Sequence, residues 1–163
     1  MMNQQAKFVW ESLEFRTPIM LRIVEPLTED EMRWLPPNKS NSIAWLVWHI
    51  PEVEDNWVRD RLHGQPKRYP FGCSVRAATL DQYPSKAELL RYIAEVRGLT
   101  KRRLEETAEA EFERVLHDDH FDTISVRQLW GGVVTSCAWH GGKIALTSRL
   151  IPRANERVGL TKR

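Results

Sequence analysis

Two histidines stand in the two most apolar stretches of this 163-residue chain. His49 follows Ser42-Ile43-Ala44-Trp45-Leu46-Val47-Trp48, and His140 follows Val133-Val134-Thr135-Ser136-Cys137-Ala138-Trp139. An imidazole on an apolar helix face needs a partner for each ring nitrogen, because an unpaired buried polar group costs about 1–3 kcal/mol. Taken singly, each reads as a core histidine with its hydrogen bonds made. Taken together, on different helices of one bundle, the two can share a metal ion. Glu52 and Asp55 lie just beyond His49 and are the candidates for a base. A second pair, His117 and His120, brackets Asp118-Asp119 in a stretch without helical period. It reads either as a solvated loop or as the source of a further ligand.

Four helical segments must carry these residues. The first runs from Gln4 to Pro26, with Phe8, Leu13, Phe15, Ile19, Ile23 and Val24 as its apolar stripe. Pro18 inside it predicts a kink or a split. Thr28-Glu29-Asp30-Glu31 has the form of a capping box opening a short turn that ends at Pro36-Pro37. The second helix begins at Ser40 or Ser42 and runs to His63, where Gly64 closes it. Pro51 lacks the N–H that would reach the Val47 carbonyl, so it either kinks this helix or bends it to aim His49. The third helix opens with a capping box at Ser85 and Glu88. The fourth opens at Ser125 with Gln128 and runs to Ile151, before Pro152. Gly131-Gly132 and Gly141-Gly142 lie inside this last helix, where each glycine costs about 1 kcal/mol relative to alanine. Such pairs predict a close approach to the backbone, by a neighbouring helix, a subunit or a ligand. Nothing alternates with period two, so little or no sheet is expected. The fold class is all-α, one four-helix bundle over 1–152, with 153–163 a basic, frayed tail.

Composition narrows the function classes. The chain is 42% hydrophobic and 28% charged, ordinary for a soluble globular protein. A formal charge of +2 with no basic stripe gives no reason to expect nucleic acid. No long uncharged apolar run predicts a membrane span, and no signal-peptide pattern opens the chain, so the cytoplasm is the expected compartment. Two cysteines are too few for a disulfide framework. Cys137 reads as a reduced core residue. Cys73 lies in the Gln65 to Tyr83 connection, long enough to be functional or mobile, and is a candidate reactive thiol.

The stretch Ser42 to Glu54 resembles the first metal-binding helix of the DinB/YfiT-like superfamily: a serine entry, an apolar run, then a histidine followed by acidic residues. His140-Gly141-Gly142-Lys143 resembles that family's closing motif of His, any residue, Gly, Gln, and Glu31 to Pro37 resembles its first interhelical turn. The resemblance implies a four-helix bundle, commonly a homodimer, in which three histidines hold a divalent metal such as nickel or zinc. It also implies metal-dependent hydrolase or thiol S-transferase chemistry on a small molecule, some members using a low-molecular-weight thiol. On that reading His49 and His140 are metal ligands, Glu52 is catalytic, and Ser136 and Lys143 contact the cofactor. This chain departs from the pattern twice. Ser136 stands one turn before His140, where the family often has its third histidine, and a serine hydroxyl is a poor ligand beside imidazole. Lys143 replaces glutamine and sets a positive charge against a cation. Glu52, His117 or His120 is then needed as a third ligand. The alternative is a degenerate, non-catalytic member acting as a stress-response or binding module.

Overall fold

Side-chain caps fix where the helices begin. Ser42 Oγ accepts from the Trp45 N–H at 3.2 Å, and Asn3 Oδ1 from the Ala6 N–H at 2.9 Å. Complete capping boxes join Thr28 to Glu31, Ser85 to Glu88 and Ser125 to Gln128. Each such cap satisfies an orphan N–H of the first turn and stabilises the helix by about 1 kcal/mol. The structure, a computed structural model, describes residues 2–37, 41–77, 79–118 and 122–152.

The elements are α1 (Gln4–Val24), α2 (Glu29–Arg33), α3 (Ile43–Asn56), α4 (Lys86–Glu106), a hairpin of β1 (Val115–Asp118) and β2 (Asp122–Ser125), and α5 (Val126–Leu150). α3 continues as a π-helical segment, Trp57–Leu62. Gly64 ends it with φ 60°, donating its N–H to the Asp60 carbonyl at 2.9 Å. That left-handed cap favours glycine. α1 lies against α5 and α4, and α3 packs against α4 and α5, so the four long helices close a bundle. Its centre is filled by Leu13, Trp48, Leu89, Tyr92, Leu129 and Trp130, all buried. No helix among the described residues is long and apolar enough to cross a membrane.

Two expectations are corrected here. The inward stripe of α1 is Ala6, Val9, Leu13, Met20 and Val24, while Phe8 and Phe15 are 71% and 66% exposed. The spacing Phe8-Phe15-Ile19 is helical too, but it marks the outer face of the same helix. The connection before α5 is not all loop. β1 and β2 pair antiparallel, with Val115 opposite Ser125 and His117 opposite Thr123. Four residues per strand are too few for a period-two pattern to be visible. Pro18 sits within an unbroken α1 and Pro51 within α3. The proposed 153–163 tail lies outside the described residues.

Of the four α5 glycines, Gly132 alone has a packing reason within the chain. A Cβ there would stand 2.8 Å from Trp57 Cζ3, whereas Gly131, Gly141 and Gly142 face nothing within 4 Å. Gly98 in α4 has only ordinary contact to offer, with Arg102 Nη1 3.8 Å from its added Cβ. Thermal unfolding distinguishes the two situations. Gly98→Ala is expected to stabilise by about 0.5–1 kcal/mol through helix propensity. Gly132→Ala is expected to destabilise by about 1–3 kcal/mol, because the indole of Trp57 must move.

Candidate functional site

Trp45, His49 and Glu52 follow one another at helical spacing along α3, and Pro51 leaves the helix continuous through them. The His49 ring stacks on Trp45 with centroids 4.4 Å apart and planes 19° from parallel. His140 of α5 meets His49 edge-on, centroids 5.1 Å apart at 89°, and Trp45 lies 6.4 Å from the same ring. The expected pair of imidazoles is therefore brought together, half-buried, between α3 and α5.

The connection after α3 supplies the third part of the site. Ser74, in a short 3-10 turn (Ser74–Arg76), is 1% exposed. Its Oγ stands 2.9 Å from His49 Nδ1 and 2.7 Å from Glu52 Oε1, and its N–H donates to Glu52 Oε2 at 3.0 Å. Trp45 Nε1 donates to the Ser74 carbonyl at 2.9 Å. A serine hydroxyl has one proton. With that proton directed to the Glu52 carboxyl, the oxygen accepts from His49 Nδ1–H. This assigns His49 as the Nδ1–H tautomer with a bare lone pair on Nε2. Glu52 thus acts through Ser74 on the orientation of His49. Burial raises the Glu52 pKa, against hydrogen bonds from Ser74 and Cys73 that lower it. Sequence reasoning missed Ser74. Its loop has no periodicity, and only the neighbouring Cys73 drew attention.

Burial, then the neighbouring His140 and the ammonium of Lys143, push the His49 pKa down to about 4. Burial and Lys143 lower His140 as well. Both rings are neutral at pH 7. Lys143 Nζ lies 5.3 Å over the ring of Trp139. Ser136 is half-buried, and its hydroxyl makes no hydrogen bond among the described residues.

The other candidates lie elsewhere or are already engaged. Asp55, weighed as a base, is fully buried and bridges Arg68 at 3.0 Å and Arg103 at 3.2 Å, so its charge is committed to structure. Cys73 is half-buried with Sγ 3.9 Å from Glu52 Oε1. Cys137 is buried in the core and receives Arg97 Nη2 at 3.3 Å. His117 is exposed on β1, and His120 lies outside the described residues.

The donor set can be tested against a divalent metal. His49 Nε2 and the ring of His140 are ligand-like, but Glu52 is turned onto Ser74 and both imidazoles sit in the field of the Lys143 ammonium. No group of three His, Cys, Asp or Glu among the described residues is placed to hold one ion. Two imidazoles beside an ammonium do not fit the three-ligand centre that the resemblance implies.

The profile of the DinB superfamily matches residues 12–144, most of the bundle and both histidines. The chain belongs to the DinB superfamily. A crystal structure of a conserved protein from Enterococcus faecalis is similar over 93% of this chain and 98% of that one, with a TM-score of 0.76 and 18% identity. That likeness supports the fold. No curated protein matches the sequence.

The lowered His49 pKa has a consequence for acid stability. The unfolded chain takes up a proton near pH 6.5, while the native ring resists it down to about 4. The native state is therefore favoured fully above the first value and loses that stability as pH falls toward the second. Urea unfolding between pH 7 and 4 is expected to show a shallower pH slope in His49→Gln than in the wild type. Equal slopes would place the lost protons elsewhere.

Proposed function

We propose that this DinB-superfamily protein is a small-molecule binding module whose cleft works through two neutral imidazoles, with no resident divalent metal. The observation that carries the reading is the His49–His140 pair itself: two rings 5.1 Å apart, one locked by Ser74, walled by Trp45 and lacking a third ligand among the described residues. Magnitude argues against His49 as a general base. At a pKa of about 4 the ring is almost wholly unprotonated at pH 7 but is a weak proton acceptor, whereas effective general bases have pKa values near the working pH. A hydrogen-bonding role needs no such match. We place the protein in the cytoplasm, where its two free cysteines stay reduced.

One observation favours a second reading, a metal-dependent hydrolase or thiol S-transferase. The Ser74–Glu52 relay leaves His49 Nε2 bare and oriented, as an outer-shell partner does for a metal ligand. Elemental analysis after incubation with nickel or zinc, then gel filtration, separates the two. Substoichiometric metal in the wild type is expected. Stoichiometric metal that disappears in the His49→Ala, His140→Ala double variant would establish the enzyme reading instead.

We also propose a homodimer through the outer face of α1. Phe8, Phe15 and Ile19 form an exposed apolar stripe there. Beside it, small residues of α5, including Gly131, Ala138 and Gly142, line shallow grooves between the two helices. Sedimentation is expected to give a dimer for the wild type and a monomer of unchanged helicity for Phe15→Glu. A wild type that stays monomeric at micromolar concentration and above would end the proposal.

A further inference from the structure

α5 carries an exposed apolar stripe of its own, apart from that of α1. Trp139, Leu146 and Leu150 are 65%, 59% and 50% exposed. Their helical spacing puts all three within about 20° of one line along α5, over a length of about 16 Å. Lys143 stands one turn beyond Trp139 with its Nζ 5.3 Å from the centre of that ring, so an ammonium lies within the stripe. Arg149 is exposed beside Leu150. Neither cation makes an ion pair among the described residues. From Val126 to Leu150, α5 holds Arg127, Lys143 and Arg149 and no Asp or Glu. Beyond Pro152 the sequence continues with Arg153, Arg157, Lys162 and Arg163 against Glu156 alone. The stripe of α1 differs in this respect, because exposed Glu11 and Glu14 flank it.

We infer that α5 docks lengthwise on the surface of an anionic phospholipid bilayer. Apolar side chains and unpaired cations on one helix face, with no anion on that helix, select this occupant. Leu146 and Leu150 enter the boundary of the acyl chains, and the indole of Trp139 sits at headgroup level, where amphipathic rings are favoured. Lys143 and Arg149 lay their apolar stems along the same face and carry their charges to the phosphates. The basic residues after Pro152 add to that attraction, each by the field of the anionic leaflet. Nucleic acid would use the cations and leave the leucines uncovered. The association is peripheral, since no helix among the described residues is long and apolar enough to cross a membrane. It is independent of what the His49–His140 cleft holds.

Flotation of the full chain with two kinds of vesicle tests it, one of phosphatidylcholine and one of equal parts phosphatidylcholine and phosphatidylglycerol. The protein is expected to float with the mixed vesicles and to remain behind with phosphatidylcholine alone. Arg149→Gln and Arg157→Gln should each weaken partitioning by about fivefold, the scale of one basic residue near an anionic surface. Leu146→Glu, at an exposed position, should keep the helicity of the wild type and lose flotation altogether. The fluorescence that Trp139→Phe removes should shift to the blue when mixed vesicles are added to the wild type. No flotation with mixed vesicles, or equal flotation with both kinds, would overturn the inference. So would a Leu146→Glu variant that floats as well as the wild type, since the basic residues would then act without the stripe.

Discussion

Three carboxylates buried on one helix organise this molecule. Glu52, Glu54 and Asp55 of α3 are 4%, 3% and 0% exposed. Removing a charged group from water costs several kcal/mol, so each must draw partners to itself. Glu54 takes Arg97 at 2.8 Å and the Thr100 hydroxyl at 2.5 Å, which fixes α4 against α3. Asp55 takes Arg103 of α4 and Arg68 of the following connection. Asn56 pairs with both main-chain groups of Arg68, accepting from its N–H at 2.6 Å and donating to its carbonyl at 3.0 Å. Glu52 takes Ser74. The long connection is thus tied to α3 at two points, and the second is the one that meets His49.

That sequence of dependencies explains why a loop residue can hold a site residue in place. Ser74 is fixed from three sides: its N–H and hydroxyl on Glu52, its carbonyl on the Trp45 indole. Its Oγ is therefore a fixed partner for His49 Nδ1. A lone serine–histidine contact on a free loop would carry little such constraint, because ordering the loop costs about 1–2 kcal/mol per residue in backbone entropy. Here the buried carboxylates meet that cost for structural reasons.

The legible part of the fold was the local part. Ser85 and Ser125 could be placed as caps, and Ser42 as one of two candidates beside Ser40, because a cap involves only residues within one turn, and the two histidines were visible because tryptophan and valine surround them. Tertiary choices were less legible. α1 carries two helical stripes of apolar residues, and sequence period cannot say which faces the core. Glu52 and Asp55 looked alike as acids after a histidine. Their different fates depend on Arg68 and Arg103, residues 13 and 48 positions away from Asp55. Ser74 was invisible for the same reason, since its partner Glu52 lies 22 positions back, across the end of a helix.

The substitutions that set this chain apart from the family pattern also agree electrostatically. Ser136, where the resemblance implies a third ligand histidine, would leave a cation site short by one donor. Placing Lys143 one turn beyond His140 makes the same space hostile to a cation. Its charge is also what lowers both imidazole pKa values, after burial and the mutual effect on His49. Protonation of either ring would add a second positive charge in the field of the first. The rings therefore stay neutral, and a neutral imidazole is the form that can offer one donor and one acceptor with fixed sense. Linkage makes this reciprocal: whatever negative group relieves the field of Lys143 must also ease protonation of the two histidines, by the same free energy. Burial first, and the ammonium after it, thus hold both rings in the neutral state.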